Sequence, residues 1–396
     1  MKAREIKPAI YWVGAIDWDR RLFDELIPIP DGTTYNSYLI QGSEKTALID
    51  VVDPTMKNVL LSRMEDLSLK QIDYVVANHA EQDHSGSLHM VLERYPQAKS
   101  ICTPKCKTML IDLLHISEER IITVEDKETI SLGDKTLEFI HAPWVHWPET
   151  MLTYLREERI LLPGDLFGSH LAISNLYVTD ERQVYEAAKR YYAEIMMPFR
   201  TNIGKHLERL QDYDIELICP SHGPIYNKPE FIIEAYRSWV FDIPKNIVVL
   251  PYISMHGSTM QMVNYLVEAL AQSGITVKQF NLSTLDIGKL AIALVDAATL
   301  VIGTPTVLVG PHPLAAYAAF LANTLRPKTR FASIIGSYGW GSRAKEQIIN
   351  MIPNLKVELL EPVLVKGLPK EEDFKALANL ASMIVAKHGE LAKAAS

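Results

Sequence analysis

The densest chemistry in this 396-residue chain lies between residues 75 and 84. Val75-Val76-Ala77-Asn78 reads as an apolar strand, and it runs into His79, Glu81, Asp83 and His84, four metal-ligand types within six residues. If the chain stays extended, His79, Glu81 and Asp83 project to one side, and a turn at Ser85-Gly86 brings His84 round. One cation or two could sit there. Three further candidates each follow an apolar run: His146 after residues 137–140, Asp165 after 160–164 and His222 after 217–221. Each would emerge from a strand end at a common edge. Any one of these alone is better explained as a satisfied loop residue, but beside the four-ligand cluster all seven read as one site.

A second constellation lies in the last 150 residues. The apolar run 247–253 ends in Ser254-Met255-His256-Gly257-Ser258-Thr259, and a helical pattern over 260–272 follows at once. Hydroxyls and backbone N–H groups at a helix start cradle a phosphate, and Gly257 lets the turn bend tightly. Taken alone, the same loop is equally an N-cap. Two more loops end strands of the same pattern: Gly303-Thr304-Pro305-Thr306 and Gly336-Ser337-Tyr338-Gly339-Trp340-Gly341. In a doubly wound sheet such loops converge beyond the carboxyl ends of the strands, where ligands bind. A G-x-G-x-x-G fingerprint is missing from the loop, which disfavours NAD.

The elements that must hold these residues differ between the two halves. Runs at 247–253, 277–282, 300–303 and 331–336, separated by helical patterns such as 260–272 and 314–325, imply a parallel sheet with right-handed crossovers. The first 240 residues instead show short β-rich runs at 10–16, 36–41, 46–52, 136–140, 151–155 and 159–162, with few helices. They suggest a mixed β-sandwich flanked by helices. A boundary is expected between 239 and 246, where Pro244 interrupts a helical pattern. This gives domains 1–245 and 246–396.

Charge agrees with the division. Residues 1–246 carry 27 basic and 38 acidic side chains, a net −11, whereas 247–396 carry 13 and 10, a net +3. The total of −8 argues against a nucleic-acid binder, which needs clustered Lys and Arg facing phosphates. No apolar run approaches a membrane span and the charged start has no signal-peptide core, so a cytoplasmic protein without membrane contact is expected. Cys102, Cys106 and Cys219 read as buried free thiols.

The motif His79-x-Glu81-x-Asp83-His84, with His146, Gly164-Asp165 and Ser221-His222-Gly223, resembles the metallo-β-lactamase-like domain of flavodiiron proteins. In zinc hydrolases of that superfamily the second position is usually His. Glu81 makes the donor set harder and more anionic, four imidazoles with three carboxylates, which favours iron or manganese over zinc. The three-loop pattern resembles a flavodoxin. Together the resemblances imply an αββα sandwich followed by a flavodoxin-like doubly wound α/β sheet. They place His79, Glu81 and His146 on one iron, Asp83, His84 and His222 on the other, and Asp165 as the bridge. FMN would lie with Ser254, Met255, His256, Gly257, Ser258 and Thr259 around its phosphate. Pro305 and Thr306 would lie along the ring, with Ser337, Tyr338, Gly339, Trp340 and Gly341 covering the other side.

Trp147 is expected to shape a dry pocket over the irons, with a nearby tyrosine, and His170 is a candidate neighbour of that pocket. The implied activity is reduction of O2 to water, of NO to N2O, or of both. No C-x-x-C pair is present, so a separate rubredoxin is the expected electron donor, with F420H2 as the second candidate. A head-to-tail homodimer, alone or as the unit of a larger homo-oligomer, is implied, each FMN beside the partner's irons. The rival readings are a binuclear metallo-hydrolase with a regulatory flavodoxin domain and a pure electron carrier with an inert metal site.

Overall fold

The computed structural model describes residues 1–395, and the chain divides into two compact units. Met1–Tyr192 and Phe199–Val240 form the first, and Ala193–Pro198 with the residues from Phe241 onward form the second. The break falls at the end of the helix Pro229–Phe241, just ahead of Pro244. No local sequence pattern announces that Ala193–Pro198 groups with the second unit.

The first unit is built on two sheets. One runs in the order Arg4–Lys7, Ile10–Trp12, Tyr38–Gln41, Thr46–Ile49, Tyr74–Val76, Lys99–Cys102, Ile121–Thr123. Its first four strands pair antiparallel and the rest parallel. The other runs Thr129–Ser131, Thr136–His141, Met151–Leu155, Ile160–Leu162, Leu217–Ile218, antiparallel except for the last pair. Period-two alternation decides what each face buries. Ile40, Ala47, Ile49 and Val76 pack with Leu137, Phe139, Leu155 and Leu162 of the second sheet. Leu39, Leu48 and Val75, one residue out of step, pack with Leu60, Val91 and Leu110 from the helices Lys57–Asp66, Leu88–Arg94 and Pro104–Leu114. Each strand is therefore apolar on both faces, and a one-residue slip would exchange two cores.

The run at 10–16 is not one strand. It splits into Ile10–Trp12 in the large sheet and Ala15–Asp17, which pairs with Thr33–Tyr35. Gly14 makes the break, since a Cβ there would meet the Tyr35 carbonyl oxygen at 2.3 Å. All three cysteines are buried and free.

The second unit is a parallel sheet in the order Thr276–Asn281, Lys245–Tyr252, Ala297–Val307, Phe331–Tyr338, with Glu358–Leu359 and Val363–Lys366 both beside the last. This is the flavodoxin-like succession 2-1-3-4-5, which places the switch point between the first and third strands. The helices Ser258–Gln272 and Glu371–Ala395 contribute Met262, Leu266, Leu377 and Ile384 to one core. Among the described residues, no helix is long and apolar enough to cross a membrane.

Candidate metal centre and cofactor cleft

The strand Tyr74–Val76 is clamped just before the first ligand. Asn78 donates from its backbone N–H and from Nδ2 to the two oxygens of Asp50, both at 2.8 Å, and its Oδ1 accepts from Thr153 at 2.8 Å. The chain beyond does not stay extended. Gln82–Ser85 forms a helical turn, with Ser85 Oγ donating back to the Ala80 carbonyl, and the Ala80 N–H is held by Glu149 Oε1 at 2.9 Å. The turn separates what an extended strand would align: His79 and Glu81 go one way, Asp83 and His84 another.

Two donor groups result, His79, Glu81, His146 and Asp165 in one and Asp83, His84 and His222 in the other, each with its ligand atoms within 4.8 Å of one another. In the first, His146 Nε2 lies 3.0 Å from both Glu81 Oε2 and Asp165 Oδ2, and His79 Nε2 lies 3.5 and 3.3 Å from the same atoms. In the second, His84 Nε2 lies 2.9 Å from Asp83 Oδ2 and His222 Nε2 3.1 Å from it. Asp165 reaches both groups: its other oxygen, Oδ1, is 3.0 Å from His84 Nε2 and 3.6 Å from His222 Nε2.

His222 arrives from the loop after Leu217–Ile218, and two contacts aim it. Its Nδ1–H donates to the Thr34 carbonyl at 2.6 Å, which turns Nε2 inward. Asn36 donates from Nδ2 to the carbonyls of Pro220 and Gly223, both at 2.8 Å, and accepts from Trp12 Nε1.

The donor set suits divalent cations. Both oxygens of Asp83, Oδ1 of Asp165 and both ring nitrogens of His79 are buried without a hydrogen bond. The Nε2 atoms of His84 and His222 face each other at 3.1 Å. Protons on both would repel, whereas a shared positive charge between them accounts for the convergence. The protonation balance points the same way. Burial disfavours charge on His79 and His146, yet the carboxylates of Asp165 and Glu81 outweigh it and push the imidazoles up to about 10 and about 9. Burial opposes the charge of Asp165 too, and His84 and His79 hold it well below the usual range.

Aromatic rings enclose the centre. Trp147 packs edge-on 6.4 Å from the rings of His79 and His146, and Phe199 lies 6.4 Å from His146, stacked with Trp144. Against His222 stand Tyr35 at 5.8 Å, Tyr191 at 5.7 Å and His170 at 4.7 Å. Trp147 and His170 stand where the sequence led one to expect them, whereas Phe199 and Tyr35 were not readable from it, nor was Asp24, on the hairpin joining Leu22–Phe23 to Ile27–Pro28. Partial burial, with Glu81 and Asp83 beside it, pushes its carboxyl up to about 6. Of the other histidines, His89 is exposed beside Glu93 and His141 hydrogen-bonds the Val124 carbonyl, both away from the centre.

In the second unit a cavity of about 220 Å³ opens at the switch point, lined by Ser254, Met255, His256, Ser258, Thr259, Pro305, Thr306, Ser337, Tyr338 and Gly339. Gly257 caps the helix Ser258–Gln272 at φ +88°, a left-handed turn that directs the helix start at the cavity. Ser254 Oγ accepts from the Met260 N–H, and Thr259 and Ser337 share a hydrogen bond at 3.1 Å across the cleft. Gly367 also lines it, unforeseen because it follows the short last strand. Trp340 is 77% exposed and Gly341 adjoins it; neither lines the cavity. No Cβ placed at Gly257, Gly339 or Gly367 would meet an atom within 4 Å, so backbone faces open space on three sides. An elongated phosphate ester with a flat ring fits such a cleft.

A lactamase-type sandwich bearing a binuclear donor set, followed by a flavodoxin sheet with a phosphate-binding cleft, defines a metal-dependent flavoprotein. Residues 33–223 match the ODP family beta lactamase model and residues 250–379 the flavodoxin model. A nitric oxide reductase of Moorella thermoacetica is 36% identical over 96% of this chain and 98% of its own. The rubredoxin oxygen:oxidoreductase of Desulfovibrio gigas superposes with a TM-score of 0.94 at 29% identity, covering 98% of this chain and 99% of that one. The flavodiiron protein of Giardia intestinalis gives 0.91 at 28%, covering 100% and 99%. The chain belongs to the flavodiiron proteins.

Proposed function

We propose that this protein reduces O2 to water, NO to N2O, or both, at a pair of iron ions, taking electrons through FMN from an external donor. The observation that carries the reading is the two-sided reach of Asp165, one oxygen toward His79 and His146, the other toward His84 and His222. A carboxylate so placed would serve two ions. His79, Glu81 and His146 would be the remaining ligands of one, Asp83, His84 and His222 those of the other.

When bound, the irons supply a coordination place for a diatomic gas and the flavin supplies electrons singly. The residues of the chain do the rest. Glu81, Asp83 and Asp165 offset the cationic charge, and the Thr34 carbonyl holds the His222 ring in its binding tautomer. Trp147, Phe199 and Tyr191 exclude bulk water, which suits uncharged substrates that need no ionic partner. In the second unit, Ser254 to Thr259 would hold the FMN phosphate, Pro305 and Thr306 would flank the ring, and Ser337 to Gly341 would cover its other side. Domains 1–245 and 246–396 carry these two tasks.

Rubredoxin is the first donor proposed, F420H2 the second. A cytoplasmic setting is proposed as well, and a head-to-tail dimer is supported by the unlike charges of the halves, −11 and +3. The test is direct. Purified protein is expected to hold two irons and one FMN per chain, and an electrode is expected to record gas consumption once rubredoxin is supplied reduced. Two zinc ions with ester hydrolysis would overturn the reading.

A further inference from the structure

His170 is 7% exposed and its Nε2 has no hydrogen-bond partner. Its ring lies tilted at 4.7 Å from His222 and 4.8 Å from Phe23 and edge-on at 4.9 Å from Tyr191, and the groups acting on it electrostatically are His222, Asp83, Asp165 and His84. This orphaned ring nitrogen beside the metal centre, like the buried Tyr35 hydroxyl on the same wall, is a polar feature that the ligand assignment leaves unexplained.

The other ring nitrogen decides what Nε2 can do. His170 Nδ1 lies 2.9 Å from Thr33 Oγ1, which can alternatively donate to the Thr34 carbonyl at 3.2 Å. One hydroxyl has one proton, and O–H donors favour the shorter separation. Thr33 Oγ1 also lies 3.3 Å from His222 Nδ1, whose proton goes to the Thr34 carbonyl at 2.6 Å. Taking the shortest contact of the Thr33 hydroxyl as the one it donates places its proton toward His170 Nδ1 and the ring proton on Nε2. Thr33 and Thr34 thus set the tautomers of two neighbouring imidazoles: His222 presents a bare Nε2 and His170 an Nε2–H.

We propose that His170 is a binding residue for the gas: its Nε2–H donates to the oxygen atom of a diatomic held on the His222 side of the centre. This rests on the function proposed above. A phenylalanine would fill the same wall without the donor, and a glutamine would return an N–H close to the same place.

Infrared spectra of the reduced holoenzyme with NO, beside iron and FMN contents, give the test. His170→Phe is expected to keep both cofactors, raise the N–O stretching frequency because no donor draws charge onto the oxygen, and weaken NO binding about fivefold, the size of one net hydrogen bond. His170→Gln should move the frequency back toward the native value. Thr33→Val, which frees the tautomer, should shift it in the same direction as Phe. An unchanged frequency and affinity in His170→Phe, or loss of iron from it, overturns the proposal. Absence of any NO adduct in the native protein, together with no consumption of O2, would overturn the function proposed above instead.

Discussion

Single side chains make the sharpest predictions. Asp165→Asn should release both irons, whereas His146→Ala should chiefly release one, because only the first serves two donor groups; metal analysis after gel filtration reads the difference, and equal losses would contradict the division. The imidazoles also give a pH signature. His79 and His146 titrate at about 10 and about 9 in the metal-free fold, above the ordinary 6.5. A raised folded value stabilises fully below 6.5 and fades as pH climbs through 9 and 10. Iron-free protein should therefore lose thermal stability between pH 6.5 and 10, while iron-loaded protein, with metal in place of those protons, should lose less; calorimetry of both forms checks it. Asn36→Ala would leave Trp12 Nε1–H without a partner in the interior, a cost of about 1–3 kcal/mol, while the Pro220 carbonyl keeps the Tyr38 hydroxyl at 2.8 Å and the Gly223 carbonyl the Thr34 hydroxyl at 3.5 Å. Denaturant melts should register the deficit.

At the level of elements, the left-handed turn at Gly257 carries a prediction for the flavin cleft. Gly257→Val meets no steric neighbour, yet φ +88° costs a β-branched residue about 1–2 kcal/mol or more, so FMN should bind roughly tenfold more weakly with iron unchanged. Fluorescence of released flavin measures it, and iron loss instead would break the separation of tasks between units. Elements also explain what could be read in advance. The seven candidate ligands were legible because such residue types rarely crowd strand ends, and the parallel sheet because its buried strands are continuous apolar runs. The partition into two groups was not, since it depends on the helical turn Gln82–Ser85 that alternation hides. The pair Glu358–Leu359 and Val363–Lys366 escaped notice because its members are short and the first is exposed. Asn36, Glu149 and Asp24 act across long sequence separations, where a pattern within one window carries no signal.

For the molecule as a whole, unlike charge on the two halves bears on assembly. A head-to-tail dimer guided by −11 against +3 should associate more slowly in high salt, and turnover per chain should fall on dilution below the dissociation constant. Light scattering at several protein concentrations, paired with rate measurements, tests this; full turnover by a monomer would refute it.

The order of the ligands along the polypeptide has a bearing on biosynthesis. Six of the seven lie between residues 79 and 165, while the last, His222, follows the final strand of its sheet. A nascent chain on the ribosome could house its first cation early. It could not complete the pair until the final strand had left the exit tunnel and docked, so loading with the second cation marks the moment when the N-terminal half is finished.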